Sequence, residues 1–361
     1  MTHLAQLLHR DIAANGALSV CNYMTQCLLH ETHGYYRTKQ VFGAEGDFIT
    51  APEISQLFGE MLAAFHGHMH QLFGAPANAI TFEAGPGRGI LASDMRRAYS
   101  AFAPQLYSAP CYLLEASKRL QQVQMDALAP CVPHHIEAIK DLPKQPLFGI
   151  ANEFFDSLGV NQAIYHQGAW HHRVIDSQEG HFAFTIGAPL SQTKDFAPLP
   201  EAPQEGDIIE HCPQGEVIMA ELAHHIAHYG GALLVIDYGK PDNRGDSLQA
   251  VRDHQPCDLL SYQGEADITH WVDFNALSRV ASAHHARLIG PVTQGRFLKD
   301  IGIGERGEAL RKPDKPQTDR ALLAAIDRLV SPAQMGHAFK VALLVPNGEG
   351  LPPGFASGET I

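Results

Sequence analysis

The stretch FEAGPGRGILASD, from Phe82 to Asp94, indicates which fold to expect. The apolar run AITFEA leading into it predicts a short buried strand, and the apolar spacing after it predicts a helix over 90–102. Between these two elements, Gly85, Gly87 and Gly89 stand at alternate positions. A strand, a glycine loop and a helix N-terminus together let the backbone approach a ligand closely and leave amide N–H groups available to it. The stretch therefore predicts a ligand-binding loop.

The glycine spacing indicates which ligand this loop would hold. A dinucleotide site favours GxGxxG, whereas this loop reads ExGxGxG, with Glu83 two residues ahead of the first glycine. A ligand with a cationic amino group and no pyrophosphate favours a carboxylate there, so we expect Glu83 near the methionine amine of S-adenosylmethionine. Glu115 ends the next apolar run, CYLLE, and is expected to accept hydrogen bonds from ribose hydroxyls. A dinucleotide ligand and purely structural glycines are the alternatives.

Strand and helix patterns alternate on either side of this loop. The runs AITFEAG, CYLLEAS and LFGIANEFF predict strands, with a helix between the last two over 118–128. This alternation predicts an α/β fold with a doubly wound parallel sheet. From Val160 a period-two pattern predicts an inserted antiparallel meander, after which the α/β pattern resumes with a helix over 216–229. Beyond the next predicted strand, ALLVIDYG, residues 240–271 have weak periodicity and are expected to form a functional loop.

An amphipathic helix is predicted ahead of the glycine loop, with an apolar stripe that runs from Ile54 to Leu72. Thr50 and Glu53 have capping-box spacing, and Pro52 falls in the first turn. The Gly-rich segment just upstream is expected to cover a ligand. The predicted domain organisation is an N-terminal helical region with this covering loop over 1–75, a core formed by 76–159 and 214–361, and the inserted β meander over 160–213.

The stretch ANEFFDSLGV follows the strand whose carboxyl end should face the transferred methyl group. Enzymes that methylate flipped bases usually carry an Asn-Pro-Pro-Tyr type motif at this point, and this chain does not, which disfavours a base as the substrate. Glu153 and Asp156 are two carboxylates about one turn apart beside aromatic rings, a pattern that suits a guanidinium. Two alternatives stay open for them on spacing alone, solvated loop acids and helix caps.

Composition narrows the class of protein. With 361 residues, 45% of them hydrophobic, the chain has the composition of a globular protein. Its formal net charge of −13 disfavours binding to the phosphate backbone of a nucleic acid. We therefore expect no nucleic-acid partner, and no apolar run is long enough to predict membrane insertion. The N-terminus resembles neither a signal peptide nor a transit peptide, so a cytoplasmic location is expected, or the mitochondrial matrix in a eukaryote.

The 22 histidines and six cysteines do not predict a metal site. The cysteines form no CxxC pair, and no HExxH spacing occurs. The densest histidine group, His66, His68 and His70, falls in a predicted helix, where residues two apart do not share a face. We therefore expect no bound metal.

Several longer stretches resemble the MidA family, the bacterial and mitochondrial proteins that include the protein-arginine methyltransferase needed for assembly of respiratory complex I. The resemblance covers most of the chain in family order. The matching stretches are FGAEGDFITAPEISQLFGE (42–60), EAGPGRGILASDMRRA (83–98), NEFFDSLGV (152–160), VIDYG (235–239), GDSLQAVRDH (245–254), ADITHWVDF (266–274) and QGRFLKDIGI (294–303).

This resemblance implies a class I methyltransferase core, Rossmann-like, with an inserted antiparallel region that faces the substrate. It also implies S-adenosyl-L-methionine as cofactor and an arginine of a protein as substrate, in mitochondria a complex I subunit. By position, it places Asp47, Thr50 and Pro52 near the cofactor and Glu153 and Asp156 near the target side chain. Two alternatives remain at this stage: a small-molecule methyltransferase, and an assembly factor with a vestigial cofactor site. The oligomeric state is open and includes a homodimer.

Overall fold

The computed structural model of the chain describes residues 2–38, 50–240, 242–312, 314–348 and 350–355. The chain forms two compact units, and each is assembled from three separate stretches. The meander unit comprises Met1–Phe48, Asp156–Val217 and Lys240–Ala276, and the sheet unit comprises Ile49–Phe155, Ile218–Gly239 and Leu277–Ile361.

The helices are numbered along the chain. They are α1 (His3–Asn15), α2 (Val20–Leu29), α3 (Tyr35–Thr38), α4 (Ala51–Ile54), α5 (Gln56–Leu72), α6 (Ile90–Phe102), α7 (Pro104–Ser108), α8 (Lys118–Leu128), α9 (Pro213–Tyr229), α10 (Phe274–Ala283), α11 (Gln294–Asp300), α12 (Ile303–Leu310), α13 (Pro316–Val330) and α14 (Met335–Ala338).

The strands are numbered in the same way. They are β1 (Leu18–Ser19), β2 (Ile80–Ala84), β3 (Cys111–Leu114), β4 (His134–Ile136), β5 (Leu147–Asn152), β6 (Asn161–His166), β7 (Ala169–Gln178), β8 (His181–Pro189), β9 (Ile208–His211), β10 (Gly231–Lys240), β11 (Gln249–Arg252), β12 (Gln255–Pro256), β13 (Asp267–Thr269), β14 (Val272–Asp273), β15 (Ala286–Thr293) and β16 (Phe339–Pro346).

The main sheet of the sheet unit has the strand order β15-β16-β10-β5-β2-β3-β4. The pairs from β10 to β4 are parallel, and β16 runs antiparallel to both β10 and β15. The chain builds outward from β2 to β3 and β4 on one side, then returns to β5 and β10 on the other. In such a sheet, ligands bind beyond the carboxyl ends of the strands where the order reverses. Here that point is the end of β2 and β5, which confirms the α/β class and its doubly wound sheet.

Single residues explain where the helices α5, α6 and α8 begin near the ends of β2 and β5. Gly89 adopts a left-handed conformation and starts α6, and the Ser117 hydroxyl accepts the backbone N–H of Leu120 at the start of α8. Both helices have the bounds that the sequence predicts. The predicted helix through Thr50 is instead two helices, because Ser55 adopts an extended conformation and its hydroxyl accepts the backbone N–H of Leu57 to start α5.

The core of the sheet unit lies between α5, α6 and the sheet. β2 and β5 are buried along their whole length, as expected of central parallel strands covered on both faces. Phe58, Leu62 and Phe65 of α5 belong to the same apolar cluster as Phe148 and Ile150 of β5. This packing fixes the ends of β2 and β5. The glycine loop follows β2, and the turn formed by residues 152–155, here called the NEFF turn, follows β5.

The meander unit has a second, antiparallel sheet in the order β1-β7-β6-β9, with β8 also paired to β7. Its apolar cluster includes Leu8 of α1, Met24 of α2 and Ile175 of β7. The stretch 240–271, expected to be a loop, instead contributes the small sheet β12-β11-β13 to this unit. Its strands are only two to four residues long, which is too short for their periodicity to stand out in the sequence.

Candidate cofactor and acceptor site

The glycine loop after β2 is built from left-handed backbone. Gly85, Gly87 and Gly89 have φ angles of 63°, 51° and 77°. Residues other than glycine rarely adopt positive φ angles of this kind. The backbone path of the loop therefore explains why glycine stands at these three positions. The N–H of Gly89 donates to the carbonyl of Pro86 over 2.7 Å, which closes the turn before α6 begins. The loop therefore presents bare backbone at the carboxyl end of β2, as predicted.

Gly85 is also required by close packing. A Cβ atom added there would lie 2.8 Å from Cδ2 of the Phe154 ring. Carbon atoms that are not bonded prefer separations of about 3.5–4.0 Å, so a side chain at this position would displace the Phe154 ring. The first glycine of the loop is thus in contact with the turn that follows β5.

Glu83 lies in β2, and 7% of its surface is exposed. Burial raises the pKa of its carboxyl group to about 8, and a hydrogen bond with the backbone of Ala92 opposes that change. Glu83 also lines a small cavity of about 20 Å³ together with His66, Arg96 and Tyr99. The Glu83 side chain therefore lies against the first turn of α6, the helix that follows the glycine loop.

Glu115 follows β3 and is fixed by hydrogen bonds. Its Oε1 accepts the Ser117 N–H at 2.7 Å, and its Oε2 accepts Nε2 of Gln124 at 3.1 Å. The same Gln124 nitrogen donates to the carbonyl of Gly87 at 2.7 Å, and Oε1 of Gln124 lies 2.9 Å from Nε2 of His135. Gln124 thus joins the glycine loop to the acid expected at the ribose. Sequence reasoning missed it, because one glutamine among several on an amphipathic helix carries no distinguishing signal.

The short helix α4 carries two of the predicted cofactor residues. Thr50 is its N-cap residue, and Pro52 lies in its first turn. Glu53 of the same helix pairs with Arg88 of the glycine loop, with 3.6 Å between Oε1 and Nη1. The structure thus links this helix to the loop, although the Thr50 side chain makes no capping hydrogen bond. Asp47 lies outside the described residues.

Glu153 follows β5 directly and has a positive φ of 50°, which is uncommon for a residue with a side chain. Its N–H donates to the carbonyl of Ile236 at 2.8 Å. Its Oε1 accepts Nδ2 of Asn152 at 3.1 Å and the N–H of Ala51 at 3.4 Å. The carboxylate is therefore oriented, at the end of β5, between that strand and the start of α4.

Asp237 of β10 fixes the same turn from the other side. It is fully buried, and its Oδ2 accepts the N–H groups of Phe154 at 3.2 Å and of Phe155 at 2.9 Å. Its Oδ1 accepts the N–H of Tyr238 at 2.9 Å. In the structure its carboxylate holds the NEFF backbone in place.

Asp156 belongs to the meander unit, since the boundary between the units falls between Phe155 and Asp156. It is 4% exposed, and its carbonyl oxygen accepts the N–H of His270 at 3.0 Å. Burial raises the pKa of the Tyr36 phenol well above its ordinary value, and the nearby charges of Asp267 and Asp156 add to this. The Tyr36 hydroxyl donates to Oδ1 of Asp267 at 3.0 Å. Asp156 thus has a second buried carboxylate nearby that the sequence did not single out.

The residues of the sheet unit fit S-adenosylmethionine. The three glycines of the loop let the backbone approach the ligand closely, and an oriented carboxylate at Glu115 suits ribose hydroxyls. The buried Oδ1 of Asn152 has no hydrogen-bond partner among the described residues, which leaves one acceptor for a ligand at the end of β5.

The described residues form neither a candidate metal centre nor a candidate membrane span. Across those residues, no group of three or more His, Cys, Asp or Glu side chains is arranged to hold a metal ion. Within the same ranges, every helix is too short or too polar to cross a membrane.

Comparison with known proteins agrees with this geometry. Residues 61–292 match the Methyltransf_28 family, described as S-adenosyl-L-methionine-dependent methyltransferase. A solved structure from Burkholderia thailandensis with bound S-adenosyl-homocysteine is similar, with a TM-score of 0.86 and 28% identity, over 98% of this chain and 95% of that one.

Curated relatives are similar over nearly the whole chain. Protein arginine methyltransferase NDUFAF7, mitochondrial, from Xenopus tropicalis is 33% identical over 93% of this chain and 84% of its own length. The protein of the same name from Homo sapiens is 32% identical over 96% of this chain and 84% of its own length. The chain therefore belongs to the Methyltransf_28 family and is an enzyme, a class I methyltransferase with S-adenosyl-L-methionine as its cofactor.

Proposed function

We propose that this methyltransferase acts on an arginine side chain of a protein, and that a respiratory complex I subunit is the substrate where that complex is present. The observation that carries the proposal is the carboxylate of Glu153, held at the end of β5 beside the glycine loop. The relatives named protein arginine methyltransferase support it, as does the resemblance to the MidA family. The net charge of −13 favours a cationic region of a partner protein.

We assign the cofactor residues as follows. Gly85, Gly87 and Gly89 form the cradle, the carboxyl group of Glu83 faces the methionine amine, and Glu115 accepts hydrogen bonds from the ribose hydroxyls. The hydrogen bonds from Ser117 and Gln124 leave Glu115 little freedom to rotate, so the acid is oriented before the ligand arrives. Asp47, Thr50 and Pro52 are proposed to lie near the cofactor, as the family resemblance implies.

Methyl transfer requires that the accepting nitrogen be aligned with the methyl group and freed of water. Bound S-adenosylmethionine supplies the methyl group together with its own leaving group. Glu153 and Asp156 are proposed to orient the guanidinium by charge-assisted hydrogen bonds, so that one nitrogen lone pair points at the methyl carbon. As the N–C bond forms, the C–S bond breaks and the added positive charge lies on the nitrogen. These carboxylates stabilise that charge until the nitrogen releases a proton.

The test is methyl transfer to a lysate from cells that lack the gene. The purified protein is incubated with that lysate and S-adenosylmethionine labelled in its methyl group, and labelled proteins are identified by mass spectrometry. We expect label on arginine of a protein. Glu153→Gln and Asp156→Asn should each lower the rate by about a hundredfold or more, because the charge that orients the acceptor is lost, while affinity for S-adenosylhomocysteine stays within about threefold.

The matched control is Glu137→Gln, which removes an exposed carboxylate on the same unit as Glu153 and should leave the rate unchanged. Label on a small molecule, or on a residue other than arginine, would overturn the proposed substrate. A protein that binds S-adenosylhomocysteine and labels nothing from any lysate would instead support the assembly-factor alternative.

A further inference from the structure

Phe154 places an aromatic ring against the first glycine of the cofactor loop. Its Cδ2 is 2.8 Å from the position that a Cβ of Gly85 would occupy, and the residue is only partly buried. The contact follows from the strand register, because Ala84 of β2 pairs with Ala151 of β5 and the chain continues from each strand in the same direction. The ring therefore lies where the ends of β2 and β5 meet.

Contacts among the described residues position the Phe154 ring. The backbone N–H of Phe154 is bound by the buried carboxylate of Asp237, as is that of Phe155. The Phe155 ring, 1% exposed, packs edge to face against it with 5.4 Å between centroids and 82° between planes. The N–H of Glu153 is fixed to the carbonyl of Ile236. The Phe154 ring is partly exposed and fixed in position, so it can contact a bound ligand as well as pack against its neighbours.

Such a ring can recognise a positive charge. The face of an aromatic ring is negative and attracts a cation within about 6 Å of its centroid, most strongly where water is excluded. S-adenosylmethionine carries a sulfonium, whereas S-adenosylhomocysteine, the product, carries a neutral thioether. The end of β5 is also where the transferred methyl group is expected. Of the charged parts of the cofactor, the sulfonium is therefore the one expected beside Phe154.

We propose that Phe154 recognises the sulfonium through its ring face, and that Asp237 is the positioning residue that holds this ring. The pair would favour the substrate form of the cofactor over the spent form and so assist product release. This inference rests on the placement of the cofactor over the glycine loop proposed above. A guanidinium could use the same ring chemistry, but Gly85 belongs to the cofactor loop, which favours the sulfonium.

The test compares dissociation constants of S-adenosylmethionine and S-adenosylhomocysteine, measured by calorimetry without any protein substrate. In Phe154→Leu, the affinity for S-adenosylmethionine should fall about fivefold, while that for S-adenosylhomocysteine changes by less than about twofold. Phe154→Tyr keeps the ring and should keep the wild-type ratio. Phe154→Met repeats the loss of the ring with a different shape, in case the leucine variant folds poorly. Phe102→Leu, which alters an exposed ring on α6, is the matched control and should change neither constant.

These variants distinguish the role of the Phe154 ring from the placement of the cofactor over the glycine loop. Equal weakening of both ligands in Phe154→Leu and Phe154→Met would make the ring a structural support and overturn the proposal. Unchanged constants with slower methyl transfer would assign the ring to the guanidinium and overturn it as well. Gly87→Val tests the placement itself, because a branched side chain in the loop should abolish binding of both ligands. If Gly87→Val leaves both constants unchanged, the cofactor does not lie over this loop and the placement fails.

Discussion

The side-chain amide of Gln124 donates a 2.7 Å hydrogen bond to the carbonyl oxygen of Gly87. Because the same amide also reaches Glu115, one residue of α8 spans two of the proposed cofactor contacts. Gln124 is fully buried, so water cannot replace these bonds if the side chain is lost.

Gln124→Leu should therefore weaken cofactor binding. Two hydrogen bonds that orient the loop and Glu115 are removed, and at about 1 kcal/mol each the affinity for S-adenosylhomocysteine should fall about tenfold or more. Calorimetry measures this directly. Gln122→Leu is the matched control on the same helix, since its amide donates to Oδ1 of the exposed Asp126. Equal dissociation constants for the two variants would show that Gln124 does not orient the site.

Gly85→Ala should cost more stability than another glycine substitution with a similar backbone. Gly85 and Gly74 both have positive φ, at 63° and 78°, but only Gly85 has a side chain within contact distance of an added Cβ. We expect about 1 kcal/mol of destabilisation for Gly74→Ala from backbone strain alone, and about 2–4 kcal/mol for Gly85→Ala, where the Phe154 ring must also move. Urea unfolding compares the two. Equal losses would contradict the close packing of Phe154 on Gly85.

Glu83 should make the protein less stable as pH rises. Its pKa is raised from 4.5 to about 8 by burial, so between these values the folded state holds a proton that the unfolded state has lost. Below pH 6.5 the opposite titration of His66 offsets this effect, so the free energy of unfolding should decline between pH 6.5 and 8, by at most about 1.4 kcal/mol per pH unit. Glu83→Gln should remove the decline, as measured by urea unfolding across this range. Glu137→Gln should keep it, and a wild-type decline that survives in Glu83→Gln would assign it to another group.

His66 lines the same cavity and acts in the opposite direction. Burial lowers its pKa from 6.5 to about 4, so its contribution to stability is complete above 6.5 and is lost as pH falls toward 4. The two groups largely cancel between 4.5 and 6.5 in the wild type. In Glu83→Gln the acid decline of His66 should stand alone, with unfolding free energy that falls below pH 6.5. A flat profile there would exclude His66 as its source.

Asp237→Asn should destabilise the sheet unit and disturb the NEFF turn. The amide replaces a buried carboxylate that accepts three backbone N–H groups, a loss of about 2–4 kcal/mol. Asp319→Asn is the matched control, because it removes a buried carboxylate that accepts the N–H of Lys312 far along the chain. Both variants should lose stability in urea, but only Asp237→Asn should lower the preference for S-adenosylmethionine over S-adenosylhomocysteine. A ratio altered by both would mean that general loosening, not ring position, sets it.

Much of the fold could be predicted because its signals are local. The bounds of α6 and α8 follow from Gly89 and Ser117 together with amphipathic spacing. The glycines at 85, 87 and 89 indicated both the loop and its ligand class, since only glycine adopts those angles freely. Ser55 was missed because Thr50 and Glu53 offered an equally good capping pattern a few residues earlier.

The parts of the site that escaped prediction depend on contacts between distant residues. Gln124 and His135 meet only because β4 pairs with β3, and Asp237 reaches Phe155 only because β10 pairs with β5. Asp267 acquires its place beside Tyr36 in the same way, across more than two hundred residues of chain. None of these residues stands in a local pattern that differs from an ordinary helix, strand or turn.

The order of strands in the main sheet has a consequence for synthesis. β16 lies between β15 and β10, yet Phe339–Pro346 follows both of these strands in the chain and is the last of the three to be synthesised. Until then the long apolar edges of β10 and β15 have no partner, so a stalled or truncated chain would present them to other chains. Resistance to protease in chains halted at increasing lengths should thus appear abruptly only after Pro346 has emerged from the ribosome, because the sheet is incomplete without β16.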